Sequence, residues 1–237
     1  AISATFSILC VVLIVLAWVL TNQLDTQGGV SITSQSELRR YIESIDAPDG
    51  VTGELETIPT GIHVQSLQFP DPTSVTFNGY VWQTYAEDSD LVRGFAFPQQ
   101  IGEESTLEEV QREVVNGQEL IVWYVGVTLR QVYDTTRFPF DHRHIQIRIV
   151  PADLNAHAIV TPDLDAYELI TPILLPGVDA QANINNWTLE SSRFSYAQQD
   201  TTTSFGFADQ VSTGSDHELR FSIRAQRVYL GPFIAYL

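Results

Sequence analysis

Residues 2–20 read ISATFSILCVVLIVLAWVL, a run without a charged side chain in which Ser and Thr are the only hydroxyl-bearing residues. A stretch that long and that apolar does not belong on the surface of a water-soluble domain. As a helix rising about 1.5 Å per residue it spans about 30 Å, the hydrocarbon thickness of a bilayer. Trp18 falls near one end, where an amphipathic ring suits the interface. A secretory signal peptide is the rival reading, but the run exceeds a signal's apolar core and no small-x-small cleavage pattern follows Leu20. Residues 1–22 are therefore expected to form a transmembrane anchor, and the polar, glycine-containing residues 23–33 a linker.

Acids begin at Asp25 and no basic residue precedes Arg39. That asymmetry assigns the remainder to the extracytoplasmic (periplasmic) side of a plasma or bacterial inner membrane. The formal charge of −17 comes from 29 acids against 12 bases, and every base is Arg. Such a surface repels a phosphate backbone, so nucleic acid is excluded as a partner. The single cysteine, Cys10, lies in the anchor. No disulfide can form within the chain, and no thiolate metal site is available.

Beyond the linker the pattern changes period. Ser34 followed by Glu37 forms a capping-box signature, and Leu38, Tyr41, Ile42 and Ile45 fall on one helical face before Pro48. One short helix, Ser36 to Ile45, is expected there. After it, strand-like runs alternate with turn residues. Ile62 to Val64 precedes Leu67 and Phe69; Val75 and Phe77 lead into Asn78-Gly79 and then Tyr80 to Tyr85. Leu120 to Leu129 is rich in β-branched and aromatic residues, and Ile145 to Ile149 alternates apolar with polar. Trp187 to Leu189, Arg193 to Tyr196, Phe205 to Phe207 and Leu219 to Ile223 continue the series. Thr106 to Val115 stays open between one or two helical turns and another conformation. Many short strands with turns between them imply an all-β, antiparallel sandwich over 34–227. Residues 228–237 turn apolar again, and the expectation is that they begin a second membrane segment.

Arg137-Phe138-Pro139-Phe140-Asp141 stands between the two strongest strands. With the preceding short helix, the aromatic and Gln pattern of Tyr80 to Tyr85, and Phe221 to Leu230 running toward apolar residues, it resembles the extracellular domain of pentameric ligand-gated ion channels, the Cys-loop receptor superfamily. The likeness is to the prokaryotic type, because the bracketing cysteines would fall near Gln131 and Ile145 and are absent. The Trp-x-Pro element expected near Phe95 to Gln100 is absent too. The resemblance implies a β-sandwich of ligand-gated-channel type. It also implies a membrane-interface coupling region of Phe138, Pro139, Phe140, Asp141 and Arg227, in which Asp141 pairs with Arg227. Tyr80, Trp82, Tyr196, Phe205 and Phe207 correspond to the strands and hairpin that wall the ligand pocket between subunits; aromatics on strands also commonly serve as core.

His142-Arg143-His144 follows the loop, where histidines either titrate near neutrality or face headgroups and acids. The acids Glu87, Asp88 and Asp90, like Asp163 and Asp165, match no calcium-loop spacing and read as solvated faces. No G-x-S-x-G nucleophile motif, Gly-rich phosphate loop or His-rich metal spacing occurs, so neither enzymatic activity nor a cofactor is expected. Two functions follow. One is a membrane-tethered receptor domain that senses a small-molecule ligand. The other is a non-conducting, non-enzymatic accessory subunit docked on a larger integral-membrane complex. In either case the expected partners are the lipid bilayer and other membrane-protein subunits, of the same or different chains.

Overall fold

The structure, a computed structural model, describes residues 11–12, 29–45, 55–102, 105–133, 142–154, 156–184, 187–198 and 217–228. The expected anchor at 1–22, except Val11 and Val12, lies outside these residues, as do Phe138 to Asp141, Phe205, Phe207 and 229–237. Among the described residues no helix is long and apolar enough to cross a membrane.

Eleven strands and one α-helix make the described fold: β1 (Val30–Ile32), α1 (Gln35–Glu43), β2 (Glu56–Gln68), β3 (Ser74–Ala86), β4 (Phe95–Ala96), β5 (Thr106–Val115), β6 (Gln118–Arg130), β7 (His142–Pro151), β8 (Ala158–Pro162), β9 (Val178–Asn183), β10 (Trp187–Gln198) and β11 (His217–Arg227). One sheet runs β1-β10-β11-β7-β4. The other runs β5-β6-β3-β2-β8, with β9 also against β2. Pairings are antiparallel except those of β2 with β8 and with β9. The result is an all-β sandwich, as the strand pattern required.

Alternation drives the layering. In β3 and β7 every second side chain is buried. Phe77, Ile121 and Leu129 from one sheet and Ile145, Ile147, Phe194 and Phe221 from the other are almost fully enclosed in the core. The Phe194 and Phe221 rings meet at 4.9 Å, and Tyr167 reaches Phe194 at 5.6 Å. Tyr196 crosses between the sheets: its hydroxyl donates to the Val160 carbonyl at 2.8 Å. A buried polar relay accompanies them. The Tyr85 hydroxyl donates to Gln83 Oε1 (2.5 Å), Gln83 Nε2 to Thr60 Oγ1 (3.2 Å), and Thr60 Oγ1 to the Ile58 carbonyl (3.0 Å).

Helix α1 starts where the capping signature places it. Ser34 Oγ accepts the Glu37 N–H at 3.3 Å. The Glu37 carboxylate reaches back one residue farther than a capping box requires, to the Thr33 N–H and hydroxyl, each at 2.8 Å. Leu38 is buried, while Tyr41, Ile42 and Ile45 pack on the core from outside it. Tyr41 stacks on Tyr196 at 4.2 Å. Within the segment expected as linker, Val30 to Ile32 adds a strand to β10, and Ile32 is wholly buried opposite Phe194.

Two turn-like dipeptides part ways. Asn116-Gly117 closes the β5–β6 hairpin with positive φ at both residues, +54° and +76°, as a primed two-residue turn demands. Asn78-Gly79 instead lies within β3, at a bulge against β2. There a Cβ on Gly79 would stand 2.0 Å from the His63 carbonyl oxygen, so glycine serves close backbone approach and not a turn. The open segment Thr106 to Val115 is a strand, β5, paired along β6 with a bulge between Glu109 and Gln111. All ten of its residues are exposed.

Candidate functional site

Five chain segments converge at one end of the sandwich: the β2–β3 turn, the exit of β6, the start of β7, the start of β10 and the end of β11. The register explains why. Gln226 lies opposite His142, Ala225 opposite Arg143, and Arg227 opposite Trp187. The residue after Asp141 is therefore beside the last residues of the final strand.

Arg143, 9% exposed, anchors this end. Its guanidinium carbon lies 4.4 Å from the Phe69 ring centre, 4.5 Å from Tyr133 and 4.7 Å from Trp187. Arg227 stacks on Trp187 too, at 4.4 Å. Phe69 meets Trp187 at 5.4 Å and Tyr133 edge-on at 6.2 Å. A cation held over ring faces and shielded from water is stabilised by about 2 kcal/mol. Burial also pushes the Tyr133 phenol above its ordinary pKa, more than the nearby Arg143 lowers it. A cavity of about 410 Å³ opens among Phe69, Pro70, Arg143, Trp187 and Arg227.

Short polar contacts brace the cluster. The Asp71 carboxylate accepts from the Thr73 N–H (2.7 Å), the Thr73 hydroxyl (2.8 Å) and the Ser74 hydroxyl. These bonds, that from Ser74 foremost, hold its pKa below the usual carboxylate value. The Gln131 N–H donates to the Thr73 carbonyl at 2.7 Å, tying the β6 exit to the same turn. Gln131 also ties the exit of β6 to β7. Its Nε2 donates to the Gln146 carbonyl at 2.8 Å, and its Oε1 accepts the Gln146 N–H at 3.0 Å. A carboxamide thus makes the two bonds that a neighbouring strand's peptide would make. Nearby, Glu190 lies 2.7 Å from Arg224 Nε and 3.3 Å from His142 Nδ1.

Of the aromatic residues matched to a ligand pocket, Tyr80, Trp82 and Tyr196 lie among the described residues. Tyr80 and Trp82 are half-buried on the face of β3 turned away from the core, on the opposite side of the strand from Phe77 and Val81. Tyr80 packs edge-on against Tyr124 at 5.5 Å. Trp82 lies over Gly61, where a Cβ would stand 2.0 Å from the indole, and donates to Asp163 Oδ2 at 2.8 Å. Tyr196 faces the core and is sealed under α1, where burial raises its phenol well above the ordinary pKa. Phe205 and Phe207 lie outside the described residues, as do Phe138, Pro139, Phe140 and Asp141 of the coupling region. Arg227 is present, at the converging end. Phe69, Tyr133 and Trp187 escaped the sequence reading of the site, Arg143 entered it only between two histidines, and Gln131 only as a position lacking a cysteine. The one available signal was that Arg143 and Trp187 flank the motif and the final strand.

Among the described residues no group of three or more His, Cys, Asp or Glu side chains is placed to hold a metal ion. No protein-family model matches the sequence, and no curated protein does.

Proposed function

We propose that this chain is the extracytoplasmic, ligand-sensing sandwich of a receptor of the pentameric ligand-gated channel type, tethered to the membrane by residues 1–22. The observation that carries this reading is the pairing of Gln226 with His142. It brings the Phe138-Pro139-Phe140-Asp141 loop's downstream flank against the end of the last strand, which the resemblance requires of a loop that couples to the membrane. The Arg143–Trp187–Arg227 stack supports it further, since a rigid end transmits a displacement of β10 and β11 where a loose one would absorb it. Tyr80 and Trp82 on one flank and the β10–β11 hairpin on another suit a pocket completed between neighbouring subunits. The partners in this reading are the bilayer, further membrane-protein subunits and a small-molecule ligand.

A second reading is a non-conducting, non-enzymatic accessory subunit. Strand β5 favours it, because Leu107, Val110, Val114 and Val115 are each about half exposed on a strand covered on neither face. Apolar surface of that kind suits a permanent neighbour. Native mass and particle symmetry of the membrane-extracted protein separate the two. A five-fold ring of identical copies supports the receptor. One copy beside unrelated subunits transfers the assignment to the accessory subunit, and a lone monomer in native membranes removes both.

A further inference from the structure

We propose a self-modification site at the tip of the β5–β6 hairpin. There the backbone nitrogen of Gly117 displaces the side-chain amide of Asn116, converting it to aspartate or isoaspartate, while the sheet keeps the same dipeptide intact at Asn78-Gly79. This site is independent of the coupling end and of the receptor reading.

The chain holds two Asn-Gly pairs. As dipeptides they carry the same chemistry, because glycine has no Cβ to obstruct its own nitrogen. Base takes the proton from the glycine N–H, the nitrogen bonds to Asn Cγ, and the Cγ–Nδ2 bond breaks as ammonia leaves with a proton. Water then opens the resulting succinimide ring. Attack at Cγ gives aspartate, and attack at the main-chain carbonyl gives isoaspartate, with an extra methylene in the backbone. Water is the sole co-reactant, nothing is oxidised or reduced, and either product adds a negative charge.

Tertiary structure separates the two pairs. Asn116 and Gly117 are exposed, and the ladder of the hairpin closes at Val115 opposite Gln118. The Gly117 N–H therefore lies beyond the last pair and faces solvent. A Cβ on Gly117 would meet no atom within 4 Å, so the peptide has room to turn. Asn116 already holds φ at +54°. Both primed hairpin turns, I′ and II′, take positive φ at that first central position. A flip of the 116–117 peptide exchanges one turn for the other with the strands still paired, and the ring closes during that flip. Gly79 has no such freedom. It is buried within β3, opposite Val64 of β2 and Val125 of β6, and the Asn78 carboxamide donates to Ser66 Oγ at 3.2 Å. Reaction there first requires the central strands to open, a rare event.

The modification reaches beyond the tip. The Gly117 carbonyl accepts the Glu87 N–H at 3.0 Å and so ties the hairpin to the end of β3. The longer isoaspartate backbone moves that carbonyl away from Glu87.

Ageing the full chain in detergent at mildly alkaline pH and body temperature tests this, with peptide mapping by mass spectrometry. Cleavage after Arg112 and Arg130 yields a peptide in which Asn116 is the sole asparagine. In the folded chain Asn116 should convert within about tenfold of its rate in urea, and Asn78 about a hundredfold or more slower than in urea. In urea the two should react alike. Asn116→Gln should abolish the mass gain in the 113–130 peptide, and amide exchange at Glu87 should quicken in the aged parent. Equal rates at the two asparagines in the folded chain, or an unchanged Asn116 while the urea-unfolded chain reacts, would overturn the assignment. So would a mass gain that persists in the Asn116→Gln peptide.

Discussion

Arg143 keeps a charge in a nearly closed site because three aromatic faces replace the water it gives up. Trp187 does more than shield Arg143, since it also carries Arg227 and touches Phe69. Trp187→Leu removes both guanidinium contacts and opens a void. The loss expected is about 3 kcal/mol of unfolding free energy, the range for deleting a large buried ring plus its cation contacts. Urea denaturation measures it, and a change below about 0.5 kcal/mol would show that the stack is a surface decoration. This residue-scale feature was hidden in the sequence. Trp187 and Arg143 are separated by more than forty positions, and only the meeting of β7, β11 and β10 brings their side chains together.

At the scale of elements, the open edge of β7 shows how side chains substitute for a missing strand. Gln131 and Gln99 satisfy the Gln146 carbonyl from two directions, and each also accepts one backbone N–H of β7. Gln131→Ala strips one pair of bonds that tie the exit of β6 to the edge of β7. A cost of about 1–2 kcal/mol is expected, because the Gln146 amide loses its acceptor inside a closed region. Amide hydrogen exchange should accelerate at Gln146 and its neighbours while the β2–β3 hairpin stays protected; unchanged exchange would show that the carboxamide does not hold the edge of β7. Strand β5 illustrates the opposite limit of legibility. Its Glu-rich composition suits a helix as well as a strand, and with neither face buried no alternation marks it. Pairing with β6 through the Asn116-Gly117 turn decides the matter.

For the whole molecule, ionisation sets the range of pH in which the sandwich persists. Burial pushes the Tyr41 phenol up to about 12 from 10.0, and burial raises Tyr133, Tyr167 and Tyr196 as well. An acid whose folded pKa is raised lends stability that is complete below its unfolded value and is lost as pH climbs through the folded one. The alkaline limit therefore falls from pH 10 upward. On the other side, the Ser74 hydroxyl and its neighbours lower Asp71, and Arg93 followed by Arg112 lowers Glu119. Their contribution is present above the ordinary carboxyl values of 3.8 and 4.5 and disappears as pH falls through the lowered ones. The melting temperature should form a plateau from about pH 5 to 10 and drop on both flanks. The tyrosinate absorbance of Tyr41, Tyr133, Tyr167 and Tyr196 should rise only as the protein unfolds, and titration of these four near the ordinary tyrosine pKa in the folded state would refute the account.

The sequence by itself determined the all-β class, the helix that begins after Ser34 and the inward faces of β3, β6 and β7. Each of these follows from local periodicity or from a cap whose partners are three or four residues apart. It also fixed the acidity and the absence of an intrachain disulfide, which are matters of counting. Only the tertiary structure decided that Tyr196 belongs to the core, that Asn78-Gly79 runs straight through a strand, and that Arg143, Arg227 and Trp187 share one end. Those outcomes depend on which strands pair and in what register. Pairing energy is spread over contacts between residues distant in the chain, and no local pattern encodes it.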